Sequence, residues 1–329
     1  TAEFKWFEEE PGGWWTQINN AVGYTATDTN LVLDDASIFA PKDVIKVPRT
    51  GEVMFVTASN TTTNTITVVR GYGVTAAAAL NDNDWLVRIG NAMEEFSSAP
   101  QPKLKQPVKV TNYTQIFRMP FDQSMTSASE SLKTAETERT RLRRLKALEH
   151  RLDMERAFLF GEPKEDVQNK RRMTGGLLHF IKTNVFDAGG TLTEAEFENF
   201  CEMLFQYGSS RKLLVCAPRV ISVINQFAQG KLHTEVGEET YGVRLTRYMS
   251  AHGDLYLVKS RALEKEYAYM AIGVDMDNVR YRPLAGRDTK LRTNIQANDA
   301  DGWMDEYLTE AGLEVRLEKT HAVLKGVTG

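Results

Sequence analysis

Carboxylates near the C-terminal end of the chain are the first residues that could perform chemistry. Four of them surround one glycine: Asp299, Asp301, Asp305 and Glu306 lie about Gly302. Acidic residues at such a spacing are typical of calcium-binding loops. An EF-hand loop with Gly302 at its sixth position would require acidic residues where the chain has Ala297 and Leu308. The pattern therefore fails, and we expect a solvated acidic loop rather than a metal site.

A cluster of basic side chains is the second candidate. It comprises Arg139, Arg141, Arg143, Arg144 and Lys146. Guanidinium groups at this density can bind phosphate. Acidic residues such as Glu138 and Glu149 are interspersed with them, which favours an exposed helix face or salt bridges between subunits. We predict that four residues here contact a neighbouring subunit: Arg139, Arg143, Arg144 and Glu149.

The common catalytic signatures are absent from the sequence. It has no Gly-x-Ser-x-Gly nucleophile elbow, no Gly-x-x-x-x-Gly-Lys-Ser/Thr phosphate loop and no His-Glu-x-x-His zinc motif. The 5 histidines are scattered without the spacing of metal ligands. We therefore predict no enzymatic activity, no cofactor and no metal.

The composition is that of an ordinary globular protein. The 329 residues are 42% hydrophobic and 26% charged, with a net charge of -4. A chain of this length usually forms more than one domain, and its mild acidity argues against a dedicated nucleic-acid binder. No apolar run is long enough to span a membrane. Cys201 and Cys216 are predicted to be buried apolar residues rather than a disulfide.

The basic cluster lies in the longest element that the sequence predicts. No glycine or proline interrupts residues 130–160, and five leucines recur there at helical spacing: Leu142, Leu145, Leu148, Leu152 and Leu159. Such a helix would be roughly 45 Å long. We expect its leucine stripe to lie on a sheet and its charged flanks to face solvent or other copies of the chain.

Upstream of this helix the sequence is typical of β-structure. Candidate strands lie at 30–33, 44–47, 52–57, 65–70 and 85–89. Five short strands predict a small barrel or sandwich, and Pro100, Pro102 and Pro107 indicate an extended linker after it. Strand-like segments around Phe4 and Tyr113 flank this module, so we expect it to be inserted in a hairpin that they form. Because the sequence begins at Thr1, with neither a methionine nor an apolar leader, we expect a processed or truncated front.

Downstream of the helix, strands and helices alternate in a pattern that predicts a compact α/β layer. Thr193 and Glu196 form a capping box, and an amphipathic helix follows up to Gly208. A buried strand at 212–217 and a helix from Pro218 come next. Further strands are predicted at 243–248, 255–258, 267–272 and 279–282. Alternation at 313–317 and 322–324 indicates that the tail returns to a sheet.

Several motifs are similar to those of a known family. They are Asn112-Tyr113-Thr114-Gln115-Ile116-Phe117, Met173-Thr174-Gly175-Gly176, Thr183-Asn184, Gly312-Leu313-Glu314-Val315, His321-Ala322, Thr50-Gly51-Glu52-Val53-Met54 and Arg70-Gly71-Tyr72-Gly73. With this order of elements, the chain resembles the tailed-phage major capsid proteins of the Hong Kong 97 fold. More narrowly, it resembles the SU-ten-like capsid protein family. The resemblance covers nearly the whole chain, and its motifs are structural rather than catalytic.

The resemblance implies an α+β fold of the Hong Kong 97 type. That fold has a long spine helix on a β-sheet, a compact α/β axial domain and an extended loop, here carrying a small β-barrel-like module. The implied divisions are 1–13 (end of the N-terminal arm and first loop strand), 14–99 (inserted β module), 100–172 (returning loop strand and spine-helix peripheral domain), 173–290 (axial α/β domain) and 291–329 (C-terminal strands returning to the sheets).

The resemblance also implies a function, that of the major capsid protein of a tailed bacteriophage. Pentamers and hexamers of the chain would form an icosahedral shell around double-stranded DNA, assembled in the host bacterial cytoplasm and ending as the virion capsid. The expected partners are other copies, the portal, decoration or scaffolding proteins and non-specifically contacted DNA, with no membrane. The inserted module would either clamp a neighbour or decorate the outer face; we favour the clamp, with Glu52, Arg70 and Tyr72 as contact residues on a projecting surface.

Three other classes of protein remain as alternatives. An encapsulin-type nanocompartment shell shares the fold, but it stores cargo. An α/β enzyme with a β accessory module would require a convergent set of catalytic residues, which the sequence does not indicate. A nucleic-acid-binding regulator is disfavoured by the net charge and by the lack of a recognition motif.

Overall fold

The computed structural model describes residues 2–9, 12–97, 106–130, 137–227 and 246–328. The chain divides into two compact units. One, which we call the body, comprises Thr1–Glu8 and Val108–Gly329, and the other, the inserted barrel, comprises Glu9–Pro107. The predicted module, 14–99, lies within the second unit.

The described residues are rich in strands. The strands are β1 (Glu3–Glu8), β2 (Trp15–Gln17), β3 (Asn30–Val32), β4 (Asp43–Lys46), β5 (Val53–Asn60), β6 (Thr65–Val69), β7 (Trp85–Asn91), β8 (Val108–Tyr113), β9 (Gln115–Ser124), β10 (Lys164–Asp166), β11 (Arg171–Met173), β12 (Val185–Gly190), β13 (Arg211–Cys216), β14 (Thr246–Ser250), β15 (Gly253–Lys259), β16 (Ala271–Val274), β17 (Val279–Pro283), β18 (Lys290–Arg292), β19 (Gly302–Val315) and β20 (Ala322–Val327). The α-helices are α1 (Met125–Ser129), α2 (Glu138–Phe160), α3 (Leu177–Phe180), α4 (Glu194–Phe205) and α5 (Pro218–Phe227).

The inserted barrel is a single sheet closed on itself. Its strand order is β2-β7-β4-β5-β6-β3, and an antiparallel bridge between Ile18 and Leu33 joins the two outer strands. Closure leaves few unpaired backbone groups at the edges. The alternate residues that point inwards form its core, and Ile45, Met54 and Ile66 are fully buried there. The prediction of a small barrel or sandwich is thus resolved as a barrel. β2 (Trp15–Gln17) was not among the predicted strands.

The hairpin predicted around the insert is present in the body. β1 pairs antiparallel with β8, from Glu3 opposite Tyr113 to Glu8 opposite Val108. Trp6 on β1 is buried, and its ring lies 5.9 Å from that of Phe180. We call β1 and β8 the ribbon.

A six-stranded sheet in the order β12-β20-β16-β13-β15-β14 forms one layer of the body. Its core includes Phe200 and Leu204 of α4 and Ile224 of α5. The predicted capping box is confirmed, with the Thr193 hydroxyl accepting from the Glu196 N–H. Cys201 and Cys216 are buried free thiols in this core, as predicted.

A four-stranded sheet is built about β19. β9 pairs with one edge of β19, and β18 and then β17 pair with the other. α2 packs on β9 and β19, so the prediction that the long helix lies on a sheet is confirmed. Both predicted returns of the tail are also present, as β19 and β20.

Two predictions about the long helix were wrong. Glu130 and Thr137 have extended backbones, and α2 begins at Glu138 rather than at residue 130; residues 131–136 lie outside the described ranges. Part of the leucine stripe does not face the sheet either, because Leu145 is 42% and Leu148 54% exposed, whereas Leu159 at the far end of the helix is buried as expected. The sheet instead presents polar groups to the first turns of α2, so the helix turns arginines and a histidine towards it.

Two strand predictions also need revision. Of the predicted strand 267–272, the first part is a 3-10 helix, Lys265–Tyr269, and only β16 is extended. Of the predicted strand 243–248, residues 243–245 lie outside the described ranges, and β14 begins at Thr246. Among the described residues, no helix is both long and apolar enough to cross a membrane.

Candidate functional site: the two faces of strand β19

β19 carries two of the four acidic residues that were weighed as calcium ligands, Asp305 and Glu306. Side chains alternate between the two faces of a strand. Asp305, Tyr307 and Thr309 therefore face α2, whereas the side chains at even-numbered positions point to the opposite face. Asp305 and the glutamates Glu306, Glu310 and Glu314 are all buried. Such burial is costly unless each carboxylate is paired.

On the helix face, Asp305 binds two arginines of α2. Its oxygens lie 2.5 and 2.8 Å from Nη2 and Nε of Arg139, and 2.9 Å from Nη2 of Arg143. The Asn294 N–H donates to it at 3.0 Å. Burial alone would raise the pKa of Asp305, but these donors outweigh burial and lower the pKa to about 2. Asp305 was considered as a calcium ligand, and Arg139 and Arg143 as phosphate ligands. In the structure these three side chains neutralise one another.

A buried histidine extends this contact along α2. His150 Nε2 lies 2.7 Å from the hydroxyl of Thr309, and the Tyr307 hydroxyl donates to the carbonyl of Arg143. The rings of His150 and Tyr307 are 6.0 Å apart. Burial lowers the pKa of His150, so the ring is neutral at neutral pH. Residues 139, 143 and 150 follow a helical spacing, which could have identified this face if polar residues had been allowed in it.

The opposite face of β19 is covered by arginines. Each of its glutamates lies beneath at least one guanidinium: Glu306 beneath Arg118 and Arg292, Glu310 beneath Arg287, and Glu314 beneath Arg282 and Arg316. The shortest of the Arg118 and Arg287 contacts are 2.6 and 2.5 Å. We call this surface the arginine face. Burial would raise the pKa of Glu314, but Arg282 and Arg316 outweigh it and lower that pKa.

The arginine face has an excess of hydrogen-bond donors. The three glutamate side chains are at most 6% exposed, whereas the five arginine side chains are 33–58% exposed. An arginine that binds a carboxylate through two of its nitrogens keeps further N–H groups that point away. The arrangement can therefore bind carboxylate or phosphate groups.

The motifs at residues 112–117, 173–176 and 312–315 meet in one buried junction. The Asn112 amide donates to the carbonyls of Leu313 (2.6 Å) and Gly175 (3.1 Å), and its oxygen accepts from the Gly175 N–H (2.7 Å). The Leu313 N–H donates to the Thr174 hydroxyl, and the Thr174 N–H donates to the Gln115 side chain. Asn112 is fully buried. The role of these motifs is thus to join three distant segments.

The motifs at residues 183–184 and 321–322 form a second junction. The Asn184 amide donates to the carbonyls of Lys319 (2.8 Å) and His321 (3.1 Å). Glu318 accepts from the N–H (2.5 Å) and the hydroxyl of Thr183. His321 is fully buried, and burial lowers its pKa to about 4.

Two of the predicted contact residues, Glu52 and Arg70, are not on a projecting surface. They form an ion pair at 2.8 Å with side chains 0% and 5% exposed. Glu52 also accepts from the N–H groups of Gly71 (3.0 Å) and Ala78 (3.1 Å). The prediction that these two residues place charge on a surface was wrong, because the pair fixes the chain after β6 inside the barrel. Tyr72 is exposed as expected, and its ring stacks on Phe55 at 4.9 Å.

The predicted contact residues of α2 divide into two kinds. Arg139 and Arg143 are engaged by Asp305, within the chain. Arg144 is exposed, and Glu149 is half-buried with Lys146 at 2.6 Å. Asp299 and Asp301 are exposed. Within the described residues, no group of three or more His, Cys, Asp or Glu side chains is arranged to hold a metal.

Comparison with solved structures defines the class of fold. The capsid of a native GTA particle has 12% identical residues and a TM-score of 0.50, over 72% of this chain and 80% of that chain. The holo-SrpI encapsulin complex from Synechococcus elongatus has 11% identity and a TM-score of 0.46, over 68% of this chain and 77% of that chain. The GTA likeness shows that this mixed α/β fold is a capsid fold.

The family follows from sequence. The SU10 major capsid protein family model matches residues 3–328, and the chain belongs to that family. The major capsid protein of Pseudomonas phage PaMx41 is 25% identical over 245 residues, which cover 69% of this chain. These residues span 58% of the length of that relative. The prediction that the chain belongs to a phage major capsid protein family is confirmed, and this family is favoured over the encapsulin and enzyme alternatives.

Proposed function

We propose that this chain is the shell-forming subunit of a tailed bacteriophage. In this proposal, pentamers and hexamers form an icosahedral capsid around double-stranded DNA, assembled in the host bacterial cytoplasm. The observation that carries the proposal is the family match over nearly the whole chain. The role is structural, with no catalytic step assigned to any residue.

The geometry of the body supports a building block of this kind. The junctions at Asn112 and Asn184 join segments distant in the sequence through buried hydrogen bonds. Such networks favour one arrangement of the segments, because any other arrangement would leave buried polar groups unpaired. A lattice of many copies requires a subunit of defined shape.

The divisions of the Hong Kong 97 fold can be assigned to this chain as part of the proposal. Residues 100–172, which include α2, would form the peripheral wall, and residues 173–290 would gather about the local symmetry axes. Residues 291–329 would tie the two together through β19 and β20. Residues 1–13 would end the arm and open the loop that carries the module at 14–99.

Contacts between copies would be numerous and individually weak. Tyr72, Arg144 and Glu149 remain candidates for such contacts, since Tyr72 and Arg144 are exposed and Glu149 is half-buried. In a closed lattice, weak contacts add up through multivalency, so no single pair need be strong. The portal and the decoration or scaffolding proteins would bind the assembled lattice, and the packaged DNA would be contacted without sequence preference.

Electron microscopy of the purified protein tests the proposal. We expect closed icosahedral shells or rings of five and six subunits across a series of salt concentrations. A monodisperse monomer or dimer under every condition would contradict it. DNA inside native particles would support a virion, whereas an enclosed enzyme would contradict it.

A further inference from the structure

The arginine face carries more positive charge than the buried glutamates beneath it can neutralise. Five arginines cover three glutamates on this face. The strand register places Arg280 beside Glu314 and Lys290 beside Leu308, and therefore on the same face. Asp122, beside Met304 at one end, is the further acidic residue that the described register brings to this face. The surface therefore has a net charge of +3 over seven cations and four acids.

The inserted barrel has the opposite charge. Residues 9–107 carry 11 acidic and 7 basic side chains, so the whole net charge of -4 resides there and the body is balanced. Three of the acids are paired inside the barrel: Asp43 with Arg88, Glu52 with Arg70, and Asp84 with Arg49. The remaining described side chains on its surface include seven acids but only two lysines, Lys42 and Lys46.

Three of these seven surface acids lie where β2 meets β3. The Asp34 N–H donates to the Gln17 carbonyl at 3.0 Å, the Asp35 N–H donates to the Thr16 hydroxyl at 3.1 Å, and Asp82 accepts from the Asn20 N–H at 2.9 Å. All three aspartates are exposed, and none has a lysine or arginine partner among the ion pairs of the described residues. We call Asp34, Asp35 and Asp82 the acidic seam.

The lysines lie on the other side of the barrel. In the closed order β2-β7-β4-β5-β6-β3, the junction of β4 with β5 is opposite that of β2 with β3. Lys46 is on β4, and Lys42, which precedes β4, binds Glu94 at 3.3 Å. On that side the two lysines are offset by Glu94 and Glu95, so the acidic seam is the more negative side of the barrel.

We propose that the acidic seam of one copy docks on the arginine face of another copy. The inference rests on the proposed function, since it concerns contacts between subunits. Charge complementarity of this kind fixes register and speeds association more than it adds affinity. It also makes assembly sensitive to salt, because exposed charges are screened beyond about 8 Å at physiological ionic strength.

A charge exchange tests this contact. The body variant R280Q/K290E and the barrel variant D34N/D35K each change the charge by three without touching the paired arginines. Glutamine is used at 280 because a carboxylate there would repel Glu314 across the strands. We expect each double variant to require at least a tenfold higher concentration to form shells. We expect the chain carrying all four substitutions to regain most of that loss.

The control is E94Q/E95K, which makes the same charge change away from the acidic seam. It should assemble at the concentration of the original protein. Circular dichroism and the size of unassembled subunits establish that each variant is folded.

Three outcomes would overturn the docking proposal. They are unchanged assembly of both double variants, a control that fails as they do, and a combined variant that is no better than either. Shells that form normally from R280Q/K290E but lose bound DNA would assign the arginine face to nucleic acid instead. If the original protein forms no shells at any salt concentration, the proposed function fails rather than this contact.

Discussion

Arg139 and Asp305 lie 166 positions apart in the sequence and form a two-point ion pair between α2 and β19. Asp305 is fully desolvated, whereas the Arg139 side chain is 21% exposed. The pair ties the start of the long helix to the end of the sheet where β19 begins. The net attraction of the pair contributes little to the stability of the fold. Removing one partner is nevertheless costly, because Asp305 would then be an unpaired buried charge.

Replacing Arg139 with methionine should therefore destabilise the body. We expect the free energy of unfolding to fall by about 2 kcal/mol, less than the full cost of an unpaired buried charge because Arg143 also binds Asp305. Urea unfolding followed by circular dichroism measures the change. The matched control is R141M, which breaks an exposed pair with Glu138 and should cost much less, because solvent screens exposed pairs. Equal losses in both variants would contradict this account.

His321 should make the body less stable in mild acid. Burial holds its folded pKa at about 4, below the ordinary 6.5, while Asp275 and Glu318 oppose burial and Lys212 adds to it. The unfolded chain therefore binds a proton between pH 6.5 and 4 that the folded chain does not, and stability falls as the pH is lowered through that window. The loss approaches about 3 kcal/mol at pH 4.

The hydrogen bonds of His321 explain why it stays neutral. Nδ1 accepts from the Asp275 N–H at 3.1 Å, so Nε2 carries the proton and donates to the Arg316 carbonyl at 3.1 Å. Urea unfolding at several pH values gives the slope. H321N should be less stable at pH 7. Between pH 6.5 and 4, the pH dependence of its free energy of unfolding should be smaller by the equivalent of about one bound proton. An unaltered slope in H321N would refute the assignment.

Asn112 should be among the most sensitive positions of the chain. Substitution by alanine leaves the Gly175 N–H and the Leu313 carbonyl without their partner in a buried site, at a cost of about 2–4 kcal/mol. Thermal unfolding of N112A measures this loss. N169A is a suitable comparison, because Asn169 bonds only to Asp166, on an exposed turn, among the described contacts. A melting temperature of N112A equal to that of N169A would be inconsistent with the buried junction.

Substitution of Arg70 should destabilise the barrel itself rather than a contact with a neighbouring subunit. R70M leaves Glu52 buried without a cation, held only by backbone N–H groups, and removes donors from the carbonyls of Thr25 (2.8 Å) and Ala78 (2.6 Å). We expect the barrel to lose about 3–5 kcal/mol. Hydrogen exchange resolves the effect, which should be confined to residues 9–107. Protection changes in the body of the isolated subunit would contradict it, and Y72A, at an exposed ring, should leave exchange nearly unchanged.

The sequence predicted elements well where one rule of spacing decided them. The ribbon, the capping box at Thr193 and the β5–β6 hairpin follow from alternation and local hydrogen bonding. The inner face of α2 did not follow, because the rule that apolar residues face the sheet selected Leu145 and Leu148. Arg139 and His150 occupy that face only because β19 presents Asp305 and Thr309 to it, which is a tertiary fact.

The sequence identified some residues of the candidate site but assigned them the wrong role. The sequence singled out both Asp305 and the arginines of α2, but weighed them as a metal loop and a phosphate cluster. Local sequence does not show that they neutralise each other across 166 positions. Glu52 and Arg70 were similarly placed on a surface, since residues 18 positions apart give no sign of pairing until the barrel closes.

The ribbon has a consequence for how such chains diversify. Glu8 and Val108 are register partners at its last pair, so the polypeptide leaves the body and returns to it at a single point. A segment attached in this way is a cassette that can be exchanged, lengthened or deleted while β1 and β8 stay in register. Relatives are therefore expected to differ most in what they carry between these two positions, and a foreign domain whose ends lie close together can be grafted there.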